Sequence, residues 1–115
     1  MRALLIDPVE KTVTEIEIGE DFQEIYKAID CDTFSCPIVY ENEDTLFCDD
    51  EGLFKDQKGG TLMTDWQYPI LGKMLVLGCD IETGKSEDAK SEIEFFTNQI
   101  TWVDEAGAKR WQSQF

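Results

Sequence analysis

The run KMLVLGCD, Lys73–Asp80, sets four apolar side chains in a row between a lysine and an aspartate. A strand without a polar face fits only the interior of a sheet, so this run predicts a central strand around which the rest of the chain is arranged. RALLID, Arg2–Asp7, reads as a short buried strand closed by Pro8. KTVTEIEI alternates Thr14, Ile16 and Ile18 with charged neighbours, as a half-exposed strand does, and DPVEK between the two runs predicts a hairpin.

CPIVYEN and TLFCDD are β-rich runs joined by the polar ENED, which predicts a second hairpin. In GEDFQEIYKAID, Phe22, Ile25, Tyr26 and Ile29 fall at helical spacing, and Asp21 with Glu24 offers a capping box. SEDAKSEIEFFTNQ predicts another helix started by Ser91 and Glu94, ITWV a last strand, and DEAGAKRWQSQF a short helix or arm. Gly59, Gly60, Pro69 and Gly72 crowd KGGTLMTDWQYPILGK with breakers, which predicts a structured loop. The expected architecture is α+β: a single mixed or antiparallel sheet with one or two helices packed on one face. It occupies residues 1–103, followed by a C-terminal helix or arm over 104–115. At 115 residues the chain holds one core and no more.

Twenty-five acidic residues against ten basic ones give a formal charge of −15 on so small a body. Such a field repels phosphate backbones and anionic lipid, so direct nucleic-acid or membrane-surface binding is not expected. It attracts basic protein surfaces. The acid is concentrated in three stretches, Asp7–Asp32, Glu41–Asp56 and Asp80–Glu94, with a net −7, −6 and −4, and the remainder is slightly basic. No apolar run approaches a membrane span, and the four apolar residues before Asp7 are too few for a signal-peptide core, so an intracellular, cytoplasmic location is expected. There Cys31, Cys36, Cys48 and Cys79 stay reduced.

Histidine is absent, which removes the commonest general base and the usual Cys-His and Ser-His pairs. A nucleophilic Cys31 or Cys36 would have only Lys27 nearby in sequence to activate it. The four cysteines are separated by 4, 11 and 30 intervening residues with no Cys-x2-Cys pair, so buried apolar cysteine is favoured over a zinc knuckle. CDDEGLFKDQKGG gathers Asp49, Asp50, Glu51 and Asp56 without the alternating spacing of a calcium loop, and predicts instead a tight turn with Gly52 at positive φ. Gly72-Lys73 is followed by Met74 where a phosphate-binding loop needs Ser or Thr. No enzyme, cofactor or metal is expected.

MRALLIDP, EIYKAIDCDTF, FCDDEGLFKD and LGKMLVLGCDIETG follow one another in an order that resembles a family of small domains of unknown function widespread in bacteriophages and plasmids. The resemblance covers roughly Met1 to Val103. It implies the company of mobile-element accessory genes, some of which blunt host defences, and no catalytic residues.

Three readings follow. In the first, a non-enzymatic phage or mobile-element protein binds and inhibits a host protein with a basic surface, a defence component, through an acidic face. That face, which in one form imitates nucleic acid, consists of Glu41, Glu43, Asp44, Asp49, Asp50, Glu51 and Asp56. In the second, Lys58, Trp66, Tyr68 and Lys73 bind and sequester a nucleotide-like signal by stacking and charge, with Trp66 and Trp102 as core residues the competing account. In the third, the tail residues Lys109, Arg110, Trp111 and Phe115 dock on the acidic body of another copy, making a homo-oligomer.

Overall fold

The computed structural model describes residues 1–64, 66–80 and 82–115. Strands Arg2–Asp7 (β1) and Thr12–Glu17 (β2) form the first hairpin. Its turn is held by the Asp7 carboxylate, which accepts the Val9 and Glu10 N–H groups at 3.0 and 3.2 Å, with Lys11 at φ 57°. Helix Phe22–Ala28 (α1) starts at Asp21, whose side chain accepts the Gln23 N–H at 2.9 Å. The second hairpin comprises Phe34–Val39 (β3) and Asp44–Asp49 (β4), with a register shift between Ser35 and Ile38 where Pro37 interrupts the ladder.

After a single 3-10 turn at Gly52–Phe54 come strands Gly60–Met63 (β5), Ile70–Leu71 (β6) and Met74–Cys79 (β7). Ser86–Glu87 (β8), helix Ile93–Thr97 (α2), Ile100–Val103 (β9) and helix Glu105–Gln112 (α3) complete the chain. The larger sheet runs β2-β1-β7-β4-β3, with β8 added to the far part of β7, and every pairing in it is antiparallel. The expected central strand is thus central, lying between β1 and β4. The fold is α+β on an antiparallel sheet.

Period-two alternation divides the core between the two faces of this sheet. Ala3, Phe47, Leu75 and Leu77 point to one side, where Ile25 and Ile29 cover them. Leu4, Ile6, Leu46, Cys48, Met74 and Val76 point to the other, where Met63, Ile70, Ala89 and Phe96 close over them. One cover is α1. The other is a second sheet, β6-β5-β9, together with α2.

Strand β9 of that second sheet is the expected ITWV, whereas β5 and β6 come from the glycine-rich segment read in the sequence as loop. The glycines there permit close approach instead of breaking a strand: a Cβ on Gly60 would lie 2.7 Å from Leu71 Cδ2 and 2.8 Å from the Ile70 carbonyl oxygen. Gly52, expected at positive φ, does not adopt it; it opens the 3-10 turn, where a Cβ would stand 3.0 Å from the Leu71 carbonyl oxygen. The capping box at Ser91 is not formed either. Glu92 occupies the cap position of α2 without a side-chain bond, while the Ser91 hydroxyl accepts from Asn42 Nδ2 at 2.9 Å. No helix among the described residues is long and apolar enough to cross a membrane.

Candidate partner-binding surface

Strand β4 sets an aspartate at each of its ends, and neither lies on the surface. Asp44 is fully buried: Oδ1 accepts the Lys90 N–H at 2.9 Å and Oδ2 the Ser91 N–H at 2.7 Å. Asp49 is 8% exposed, forms an ion pair with Lys55 Nζ at 2.7 Å and accepts the Glu51 N–H at 2.9 Å. The bond from Asp49 raises the Lys55 ammonium above its ordinary pKa. Asp44 and Asp49, both placed on the acidic face by the sequence, therefore leave it. Their carboxylates are occupied in joining chain segments, because a buried charge must be paired or hydrogen-bonded.

The other five acids stay accessible and separate into groups. Glu41 and Glu43 lie in the β3–β4 turn, Glu43 at φ 74°. Asp50 and Glu51 follow the opposite end of β4, about 17 Å away at the usual rise of a strand. Asp56 stands apart between two cations, Lys109 at 3.2 Å and Lys58 at 3.6 Å. Its bond to Lys109, aided by both charges, holds its carboxyl below the usual pKa. Asp50 and Glu51 have no cation within ion-pair distance among the described residues.

The structure divides Lys58, Trp66, Tyr68 and Lys73 into two pairs: the Trp66 and Tyr68 rings meet with centroids 5.6 Å apart, and the two lysines share a separate cleft. Lys58 and Lys73 line a cleft of about 240 Å³ with Lys55, but Asp30, Asp49 and Asp56 line it too. Each of these lysines meets a carboxylate, Lys58 pairing with Glu105 at 3.1 Å and Lys73 with Asp30 at 3.1 Å. Trp66 and Trp102 are half-buried against the main core. Tyr68 is 43% exposed and belongs to a different concavity.

That concavity is an apolar groove of about 480 Å³. Ser35 and Pro37 of β3 form one wall, Tyr68, Pro69 and β6 the other, and Leu53, Trp111 and Phe115 close it. Cys48 and Asp49 lie along it, and Asp50 stands beside them. Tyr68 and Trp111 stack with centroids 6.3 Å apart and planes 6° from parallel, and Phe115 meets Trp111 edge-on at 5.2 Å. Helix α3 is fixed in place by buried Ala108 and by Gln112 Nε2, which donates to the Leu53 and Lys55 carbonyls at 3.2 and 2.5 Å. Trp111 and Phe115, read in the sequence as able to dock on another copy, thus build a surface on their own chain.

Desolvation pushes three thiols upward in pKa: buried Cys31 to about 11, with buried Cys48 and the more exposed Cys36 of strand β3 in the same direction. Cys48 Sγ is 3.3 Å from Ser35 Oγ at the groove. These thiols are protonated at neutral pH and poor nucleophiles there. The groove escaped the sequence reading because its lining comes from four separate segments. The only local sign of it was aromatic residues concentrated in YPIL and in the last five positions.

Fold and surface together define a small antiparallel α+β domain that presents an acid-rimmed apolar groove. The chain belongs to the family described as a domain of unknown function, DUF3846, whose model matches residues 1–108 and so runs into α3. Comparison with curated proteins and with solved structures gave no match.

Proposed function

We propose that the chain is a non-enzymatic accessory protein that binds a basic surface of a host protein through its acidic surface and inhibits it. The observation that carries this reading is the exposed pair Asp50–Glu51, which has no cation within ion-pair distance among the described residues and of which Asp50 lines an apolar groove. Among the described residues, six of the ten basic side chains, Arg2, Lys55, Lys58, Lys73, Lys90 and Lys109, are in ion pairs, so most of the base on this chain is engaged within it. A surface of this kind speeds encounter with a cationic partner and repels anionic ones.

The mobile-element setting and a defence protein as target rest on the family resemblance alone. A nucleic-acid-mimicking form receives less support, since the accessible acids of the candidate face fall into groups instead of a regular row. Sequestration of a nucleotide-like signal receives less support, because the lysines it would use are shared with aspartates.

The test is native mass spectrometry of the tagged chain recovered from host cells at low salt. A stoichiometric protein partner, released as salt rises and lost from the Asp50→Lys/Glu51→Lys variant, is the expected result. A partner retained at high salt by that variant would refute the reading.

A further inference from the structure

The apolar groove lies between the terminal strands of the two sheets. β3 ends the strand order of the larger sheet and β6 that of the smaller, so the slot separates two strand edges. Its lining is mainly apolar, with Ser35, Asp49 and Asp50 as the polar members, yet Tyr68 and Phe115 remain 43% and 70% exposed on a chain carrying −15. Exposed aromatic residues gathered around a concavity have the composition of an interface centre, where rigid rings contribute contact area at little entropic cost. The rim carries the other half of the pattern. Asp50 lines the groove and Glu51 follows in the exposed turn, and neither has a cation within ion-pair distance among the described residues.

We propose that this groove is the anchoring site for an extended segment of a partner protein, bearing one aromatic or branched aliphatic side chain with Lys or Arg beside it. The proposal deepens the acidic-surface reading above and rests on it. The anchor enters between Tyr68, Leu71 and Trp111, and the neighbouring cation meets Asp50 at the rim. An extended segment suits walls made from strand edges, whereas Pro37 and the irregular register of β3 discourage continuous pairing along that edge. Charge selects the occupant: a second copy of this chain would bring another −15 to the interface, while a cationic segment removes like-charge repulsion and supplies the missing counter-charge.

The experiment is selection of a displayed random-peptide library on the full chain at low salt, followed by titration of the enriched peptides. Expected are peptides with an apolar or aromatic residue next to Lys or Arg. Their affinity should fall about tenfold or more in a Tyr68→Ala/Phe115→Ala variant, a change at two exposed positions that leaves the core intact. Asp50→Lys should weaken the same peptides and flatten their salt dependence, while Glu41→Lys, at the other end of β4, leaves affinity within about twofold. Peptides sensitive to Glu41→Lys and Glu43→Lys but indifferent to the groove variant would overturn the groove assignment and leave the acidic-surface reading standing. Groove-dependent peptides without basic residues would overturn the proposed occupant and the acidic-surface reading together. Failure to enrich any peptide overturns the groove proposal alone, the acidic reading being judged by its own capture experiment. A dimer, or a retained small molecule, lost in the Tyr68→Ala/Phe115→Ala variant would assign the groove to that occupant instead.

Discussion

The Asp44 carboxylate accepts the Ser91 N–H at 2.7 Å across 47 residues of sequence, tying the start of β4 to the segment that enters α2. The Lys90 N–H reaches the same carboxylate, and Asn42 Nδ2 holds the Ser91 hydroxyl. Replacing Asp44 with alanine leaves the buried Ser91 N–H and the partly buried Lys90 N–H without their acceptor. Asp44→Ala is expected to destabilise the fold by about 3 kcal/mol in chemical denaturation, and Asp44→Asn by less, because one oxygen remains. A loss in Asp44→Ala below about 0.5 kcal/mol would mean that the clamp is not a structural determinant.

Tyr40 offers the opposite case. Its ring packs edge-on against Phe95 and Phe96, but its hydroxyl is buried with no partner among the described residues. Burial pushes its pKa up to about 12, as it pushes Cys31 up to about 11. Both groups are neutral when protonated, so the folded state keeps protons that the unfolded chain releases from about pH 9 upward. Stability is then fully present below pH 9 and falls as pH rises toward 11 and 12. Tyr40→Phe, which removes an unsatisfied hydroxyl, should be neutral or stabilising by up to about 1 kcal/mol at pH 7, and should flatten the alkaline loss above pH 10. Denaturant titrations across pH 7 to 11 check both statements; a destabilised variant at pH 7 would show that the hydroxyl has a partner.

Gly60→Ala should cost about 2 kcal/mol, because its Cβ would be placed inside contact distance of the Ile70 carbonyl and Leu71 Cδ2, and strand β6 would have to move. Equilibrium unfolding measures the cost. An unchanged midpoint would show that β6 yields without penalty.

Most of the elements were legible because they obey local rules. The apolar run Met74–Leu77 demanded a central strand, and Asp21 marked the start of α1. Strands β5 and β6 of the second sheet were not legible, since Gly60 signals a turn and close strand packing equally well until its neighbour Leu71 is known. The acidic site was legible only as charge. Whether Asp44 faces water or the Ser91 amide depends on a partner 47 residues away, and nothing in the spacing of ENED distinguishes Glu43 from Asp44. Cys31 and Cys48, assigned to the interior from general cysteine behaviour, are indeed buried, whereas Cys36 is exposed.

Helix α3 provides the sharpest test of where the folding unit ends. The composition of Asp104–Phe115 suggested a tail outside the body, yet Ala108 is fully buried, Gln112 holds the carbonyls of Leu53 and Lys55, and Trp111 stacks on Tyr68. A chain ending at Val103 loses these contacts and strands the two carbonyls. It also opens one wall of the groove, leaving Leu53 and Leu71 facing solvent. Such a chain is expected to unfold at lower denaturant, by an amount equivalent to about 2–4 kcal/mol, and to bind none of the peptides that select the groove. Gln112→Ala in the full chain should show a fraction of the stability loss, about 1 kcal/mol. If the shortened chain keeps the full chain's unfolding midpoint, residues 104–115 are an arm and the groove is an incidental consequence of where that arm rests.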